Sequence, residues 1–119
     1  TIGDGTTNFT ATAQGYYTQI NNLVFTEIWI EWSDKGSANP TNQLQISLPF
    51  TIGGSARVPF TLGYVRGVNF SHQLVATASQ GSSSLQLFDL APPDNANWIL
   101  ASDCNVSGEI QLSGFYRMQ

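Results

Sequence analysis

The stretch Gly15–Trp32 constrains the fold more than any other part of this sequence, because two runs of β-forming residues flank the dipeptide Asn21-Asn22. Asparagine tolerates positive φ angles better than other non-glycine residues, so this dipeptide is typical of the two-residue turn of a tight hairpin. We therefore predict strands over Tyr16–Ile20 and Leu23–Trp32. The second strand would extend about 33 Å, which is long for a globular protein.

Side chains of this long strand alternate between two faces. The face expected to lie in the core carries Val24, Thr26, Ile28, Ile30 and Trp32. The opposite face carries Leu23, Phe25, Glu27, Trp29 and Glu31. A lone domain rarely leaves three large apolar side chains together in water, so we expect a second sheet of the chain or another copy of it to cover this face. In the second case Leu23, Phe25 and Trp29 form a subunit interface.

The rest of the chain alternates short β-forming segments with polar loops, and no window keeps the apolar spacing of an amphipathic helix. We predict a first short strand over Thr7–Thr12, which Gln14-Gly15 ends. The further predicted strands are Leu44–Leu48, Val58–Val65, Gln73–Ser79, Ser84–Leu90, Trp98–Leu100, Asp103–Val106 and Gly108–Tyr116. Ser33–Asn42 and Ala91–Asn97 are predicted loops. Eight to ten short strands predict one all-β domain over residues 1–119, an antiparallel β-sandwich with jelly-roll-like topology.

The composition limits the classes of partner that this domain is expected to bind. Charged residues make up only 10% of the chain, against about 25% in ordinary globular domains. Ser, Thr, Asn, Gln and Gly supply the polar surface instead, which suits an extracellular or virion protein and close packing of identical subunits. The net charge of −4 argues against a nucleic-acid partner. Nothing resembles a signal peptide or a transmembrane span, so we expect no membrane insertion. The chain begins without Met, and we take it to be a fragment of a longer protein.

Signatures of catalysis and metal binding are missing from the sequence. His72 and Cys104 are the only residues of their types, too few for a His/Cys metal site or a disulfide within the chain. We expect Cys104 to be a small buried residue. Glu27 and Glu31 share a strand face, but about 13 Å of strand separates them, more than the roughly 5–9.5 Å of glycosidase carboxylate pairs. This distance argument does not apply to carboxylates on two neighbouring strands, so a catalytic pair such as Glu31 with Glu109 is left open. We predict a non-enzyme without cofactor or metal.

With catalytic and metal-binding signatures missing, the remaining candidates for function are aromatic and polar side chains of the kind that bind carbohydrate. Aromatic rings stack on sugar faces, while carboxylates and amides hydrogen-bond to hydroxyl groups. The candidate ligand-binding residues are Trp98, Asp94, Asn97, Asp34 and Trp32. Trp98 leads this set because it follows a loop rich in Pro, Asp and Asn. In the alternative interpretation, Trp32 belongs to the core, Trp29 to a subunit interface, and Trp98 seals a loop.

Three segments resemble a domain found near the C-termini of bacteriophage tail fibres and in structural proteins of large algal viruses. The segments are Gly15–Phe25, Leu44–Thr51 and Ser107–Tyr116. They match in order and span nearly the whole chain. The sequence departs from the family pattern at Gln19 and Asn21, where Lys and Gly are usual, and it lacks the glycine that often precedes Leu48-Pro49-Phe50.

The resemblance implies a fibre or spike head at the virion surface. Fibres of this kind are usually homotrimers whose distal domain contacts the host. We therefore expect a non-catalytic receptor-binding domain that recognises a host-surface glycan or another receptor. A purely structural trimerisation cap or capsid decoration module is the alternative, and a polysaccharide-degrading enzyme is the least favoured.

Overall fold

A computed structural model describes residues 1–54, 57–91 and 95–119 of the chain. Its nine strands are β1 (Ile2–Gly3), β2 (Thr10–Ile20), β3 (Leu23–Asp34), β4 (Gln45–Ser47), β5 (Val58–Val68), β6 (Gln73–Ala78), β7 (Ser84–Ala91), β8 (Asn95–Trp98) and β9 (Cys104–Arg117). One 3₁₀ turn, Ala101–Asp103, precedes β9. The predicted all-β antiparallel class is confirmed, and the number of strands falls within the predicted range. The described residues contain no helix long and apolar enough to cross a membrane.

The strands form one sheet in the order β1-β4-β7-β6-β5-β9-β3-β2, with β8 added beside β7. This sheet curls until it is nearly closed into a barrel. β5 joins its two halves, because Val58–Phe60 pair with β6 while the strand from Thr61 onward pairs with β9. Buried residues from both halves form a single hydrophobic cluster. β2 is left at one edge of the sheet, beside the long strand β3.

The predicted hairpin is confirmed as β2 and β3. Asn21 adopts a φ of 54°, and Ile20 pairs with Leu23 across the two-residue turn. The predicted core face of β3 is buried at Val24, Thr26, Ile30 and Trp32. Ile28 on the same face is only half-buried because its partner on β2 is Gly15, which offers no side chain to cover it.

Several predicted boundaries are wrong. Gln14-Gly15 does not end a strand, since β2 continues through both residues in register with β3. Asn95, Ala96 and Asn97 lie in a strand rather than in the predicted loop, because they find backbone partners on β7. β9 merges the two predicted C-terminal strands into one of 14 residues. In each case a neighbouring strand supplies hydrogen bonds that override the local preference for a turn.

Two glycines of β9 make room for aromatic rings. A side chain at Gly108 would overlap the indole of Trp32 and the carbonyl oxygen of Arg66. A side chain at Gly114 would overlap the ring of Phe60. The core therefore requires both positions to lack a Cβ atom, which gives the C-terminal segment a packing role.

A carboxylate organises the N-terminal loop. The buried Asp4 accepts backbone N–H groups from Thr6 (2.8 Å), Thr7 (2.6 Å) and Asn39 (2.6 Å). These bonds, first of all that of Thr7, hold the pKa of Asp4 far below its ordinary value. Asp4 thereby ties the start of the chain to the loop that follows β3.

Candidate functional site

The outer face of β3 faces solvent. Leu23 is 48% exposed, while Phe25 and Trp29 are half-buried between the flanking strands β2 and β9. The described residues provide no second sheet over this face, so the first of the two expected coverings, a second sheet of the same chain, is not found among them. The face divides into a polar groove with aromatic residues and an apolar patch near the Asn21-Asn22 turn.

The groove lies where paired residues of β2, β3, β9 and β5 cross the outer face. One row is Gln14–Trp29–Gln111–Tyr64, and the next is Tyr16–Glu27–Ser113–Thr61. The open volume above these rows is about 580 Å³, which falls in the usual range for small-ligand clefts. Gly63 deepens the groove because it lies at a β-bulge and carries no side chain.

The polar lining of the groove is available to a ligand. Within the described part of the chain, the side chains of Gln14, Glu27 and Gln111 make no hydrogen bond to protein, and all three are exposed. Tyr16 is 67% exposed at the rim. An aromatic surface bordered by amide and carboxylate groups can stack against a sugar ring and bind its hydroxyl groups.

Trp29 is held at the base of this groove by a charged cluster. Its Nε1 donates to Glu109 Oε2 at 2.5 Å. Glu109 lies directly across from Glu31 on neighbouring strands, so the cross-strand carboxylate pair left open by the sequence does form. Arg66 Nη2 lies 3.4 Å from Glu31 and 3.9 Å from Glu109. The guanidinium offsets the repulsion between the two carboxylates, and the cluster fixes the orientation of the indole.

The apolar patch occupies the turn end of the same face. Its members are Ile20, Leu23, Phe25 and Phe115. The rings of Phe25 and Phe115 pack together with centroids 4.9 Å apart. Two of the three predicted interface residues, Leu23 and Phe25, therefore lie in the patch, whereas Trp29 lies in the groove. A cluster of this kind is typical of a contact surface.

Trp98 lies in a different place, on β8 at the opposite half of the sheet. Its ring packs on Phe88 with centroids 4.2 Å apart and remains 39% exposed. A groove of about 290 Å³ beside it includes Asn97 and Asp89. Asp89 already accepts the backbone N–H groups of Ser71 and His72. The first of these bonds is the main cause of the lowered pKa of Asp89. The Asp89 carboxylate of this groove is therefore already engaged by the protein, unlike the Glu27 carboxylate near Trp29.

The remaining ligand candidates do not join Trp98. Trp32 is fully buried and donates from Nε1 to the carbonyl oxygen of Asn105, so its prediction as a ligand-binding residue is wrong and its core interpretation is confirmed. Asp34 lies at the end of β3, where it accepts the N–H of Gly36. Asp94 lies outside the described residues.

The described residues contain no group of three or more His, Cys, Asp or Glu side chains that could hold a metal ion. Cys104 is buried as predicted, and that burial raises the pKa of its thiol to about 12. His72 is an exposed residue just before β6, with Nδ1 3.9 Å from Asp89. Neither residue is placed for nucleophilic or metal chemistry.

Comparisons with protein-family models, with curated proteins and with solved structures found no significant match for this chain.

Sequence reasoning missed most of the groove. Gln14, Tyr16, Gln111 and Ser113 join Trp29 only through the pairing of β2 and β9 with β3. The register of the hairpin is sufficient to place Gln14 and Tyr16 on the outer face, since the turn determines which residues of β2 point outward. The last two depend on a strand about 80 residues away, as the separation of Trp29 and Glu109 illustrates, and no local signal specifies that register.

Proposed function

We propose that this chain is a non-catalytic, carbohydrate-binding head domain of a viral fibre or spike that attaches the virion to its host. The observation that supports it most is the groove of about 580 Å³ on the outer sheet face, with Trp29 at its base. The ligand class is a surface glycan, since sugars combine apolar ring faces with many hydroxyl groups. In this proposal Trp29 replaces Trp98 as the principal stacking residue.

The lining chemistry favours sugar over other small ligands. Gln14 and Gln111 offer amide donors and acceptors on either side of the indole, and Glu27 offers a carboxylate acceptor. Such groups suit hydroxyl pairs on a pyranose ring. Arg66 is the basic residue nearest the groove, and Glu31 and Glu109 already engage it, so an uncharged glycan fits better than a strongly anionic one.

The virion-surface location rests on the resemblance of the three sequence segments to tail-fibre and algal-virus domains. A sheet that buries its core without disulfides is compatible with this location, as is a surface dominated by uncharged polar residues. Binding rather than hydrolysis is favoured because Glu31 and Glu109 both face the Arg66 guanidinium, and Glu109 also accepts the N–H of the Trp29 indole. In this arrangement the two carboxylates support the Trp29 side chain rather than act on a ligand.

A glycan and whole-cell binding screen tests the proposal. Purified protein is applied to an array of bacterial and algal surface polysaccharides and to the corresponding cells, with incubated polysaccharide analysed for released sugar. The proposal requires retention on at least one glycan without sugar release. Release of oligosaccharide would replace binding with hydrolysis. The absence of binding to every glycan and cell would remove the receptor function.

A structural trimerisation or capsid decoration module is the second candidate, and the apolar patch favours it. Ile20 and Phe115 are 66% and 62% exposed and adjoin Leu23 and Phe25, so three copies packed at this patch would bury a surface that is costly in water. We keep the homotrimer as part of the proposal, since a fibre head can be both trimeric and glycan-binding.

Charged substitutions in the patch test the trimer. Leu23→Lys with Phe115→Lys places like charges at the contact, and circular dichroism verifies that the variant folds without the Phe25–Phe115 packing. A solution mass near three times 12.9 kDa that falls to a smaller assembly in this variant supports the trimer. A mass that the substitutions do not alter places any self-association elsewhere.

A further inference from the structure

β2 has little protection at its free edge, although the ring of Tyr17 meets the ring of Phe50 with centroids 5.1 Å apart. All eleven of its residues, Thr10–Ile20, are exposed, and the segment contains no charged residue and no proline. Natural edge strands are usually short, or carry lysine, proline or a covering loop, because unpaired backbone groups bind other strands readily. A long uncharged edge of this kind is suited to pairing with another strand.

The hydrogen-bonding pattern identifies which residues face the free edge. The carbonyl oxygen of Asn22 accepts the N–H of Met118 on the β9 side, so odd-numbered residues of β3 point their backbone groups towards β2. Ile20 pairs with Leu23, so the even-numbered residues of β2 bond to β3. The residues that direct their N–H and C=O groups away from the sheet are Ala11, Ala13, Gly15, Tyr17 and Gln19.

This edge is complementary to itself. Gly15 is the midpoint of β2, so a two-fold axis through Gly15 pairs two antiparallel copies over their whole length. The resulting cross-strand pairs are Thr10–Ile20, Ala11–Gln19, Thr12–Thr18, Ala13–Tyr17 and Gln14–Tyr16. The pairs at residues 11 and 13 set a small side chain beside a large one, and those at residues 10 and 12 bring two β-branched side chains together. The pair at residue 14 sets an amide beside an aromatic ring. No pair brings like charges together.

We infer that β2 pairs with β2 of a second copy of this chain about a two-fold axis at Gly15. The outer faces of the two half-sheets then become continuous across the axis. Gln14 at the rim of one groove lies beside Tyr16 of the partner subunit, so each copy contributes an aromatic ring to the edge of the other copy's groove. Two adjacent grooves on one surface would engage a repeating polysaccharide with gain in avidity.

This pairing is independent of the glycan proposal, because backbone groups of β2 form it with or without a ligand. It also uses a largely different surface from the apolar patch, whose residues Leu23, Phe25 and Phe115 lie outside β2, and the two contacts share Ile20 at the end of β2. If both contacts form, two trimers join through their edges. The β2–β2 contact and the contact at the apolar patch can therefore be tested separately.

Two double variants that differ only at residue 18 test the inference. Thr12 and Thr18 are exposed on the outer face and face each other across the proposed axis. In Thr12→Lys with Thr18→Lys, lysines oppose each other in both symmetry-related pairs. In Thr12→Lys with Thr18→Glu, opposite charges meet in both pairs. The shared lysine at position 12 lies opposite Glu31 on β3 in both variants, which keeps the fold comparable.

Sedimentation equilibrium over a wide concentration range measures the outcome, with circular dichroism to verify folding. We expect the unaltered chain to approach twice 12.9 kDa, or six copies if the patch also assembles. The lysine–lysine variant should have a dissociation constant at least about tenfold higher, and the lysine–glutamate variant should match or exceed the unaltered chain. A monomer at every concentration, an assembly that stops at three copies, or an assembly that responds equally to both variants would overturn the inference.

Discussion

Trp29 and Glu109 are joined across two strands by a hydrogen bond of 2.5 Å from the indole Nε1 to the carboxylate. This bond fixes the ring that forms the base of the groove. A half-buried hydrogen bond to a charged acceptor stabilises a fold more than a solvent-exposed hydrogen bond between neutral groups does. Trp29→Phe and Glu109→Gln should therefore show a coupling energy of about 1–2 kcal/mol in a double-mutant cycle. Urea unfolding of the four proteins measures this coupling, and additive effects would show that the bond does not stabilise the fold.

Gly108 should be intolerant of any side chain. A Cβ atom there would overlap the buried indole of Trp32 and the backbone of Arg66. Gly108→Ala is expected to reduce the free energy of unfolding by about 2 kcal/mol or more. Gly63→Ala is the matched control, since its Cβ would meet only the carbonyl oxygen of Gln111 at 3.7 Å, and its effect should stay within about 0.5 kcal/mol. Equal effects in denaturant unfolding would contradict this packing.

Asp4 should make the stability of the chain depend on pH in the acid range. Its folded pKa lies below the ordinary value of 3.8, so the unfolded chain takes up the proton first as the pH falls. The stabilisation is complete above about pH 5 and is lost progressively as the pH falls through 3.8 and below. The stability difference between the unaltered chain and Asp4→Asn should therefore be large at pH 7 and shrink towards pH 2.

Urea unfolding midpoints of both proteins from pH 7 to pH 2 check this expectation. Some acid sensitivity should remain in Asp4→Asn, because hydrogen bonds, chiefly from Ser71 N–H, also lower the pKa of Asp89. A stability difference that does not change with pH would show that Asp4 acts only through the shape of the loop.

Cys104 should be inert in the folded protein. Cys104 is 2% exposed, and burial raises the pKa of its thiol to about 12, so the reactive thiolate is scarce at pH 8 and reagents reach it poorly. Ellman's reagent should react slowly with the native chain and at once in strong denaturant. Immediate stoichiometric reaction without denaturant would place the thiol outside the core.

Local signals in the sequence were sufficient for the hairpin. The Asn21-Asn22 turn and the alternation in Leu23–Trp32 predict a strand pair whose core face the structure confirms. The same local reasoning fails at Gln14-Gly15, where a turn-like dipeptide remains extended because β3 supplies its partners. It also cannot place the outer face of β3, since whether that face is covered depends on where distant strands pair.

The candidate site was harder to predict than the fold. The sequence contains three tryptophans, but Trp32 is buried by the closing of the sheet, and Trp98 packs on Phe88. Trp29 gains its polar surroundings from Gln111 and Glu109, which β9 brings across from the far end of the chain. Residue type indicates the sugar-binding chemistry, whereas the sheet register determines which aromatic residue meets suitable polar groups.

Calorimetric titration of the best glycan from the binding screen tests the central claim most directly. It compares the unaltered chain with Trp29→Ala and Trp98→Ala, two variants that each remove one partly exposed indole. Glycan binding in the outer-face groove predicts at least a roughly tenfold loss of affinity for Trp29→Ala and an unchanged affinity for Trp98→Ala. The reverse pattern, with Trp29→Ala binding normally, would contradict the proposed site.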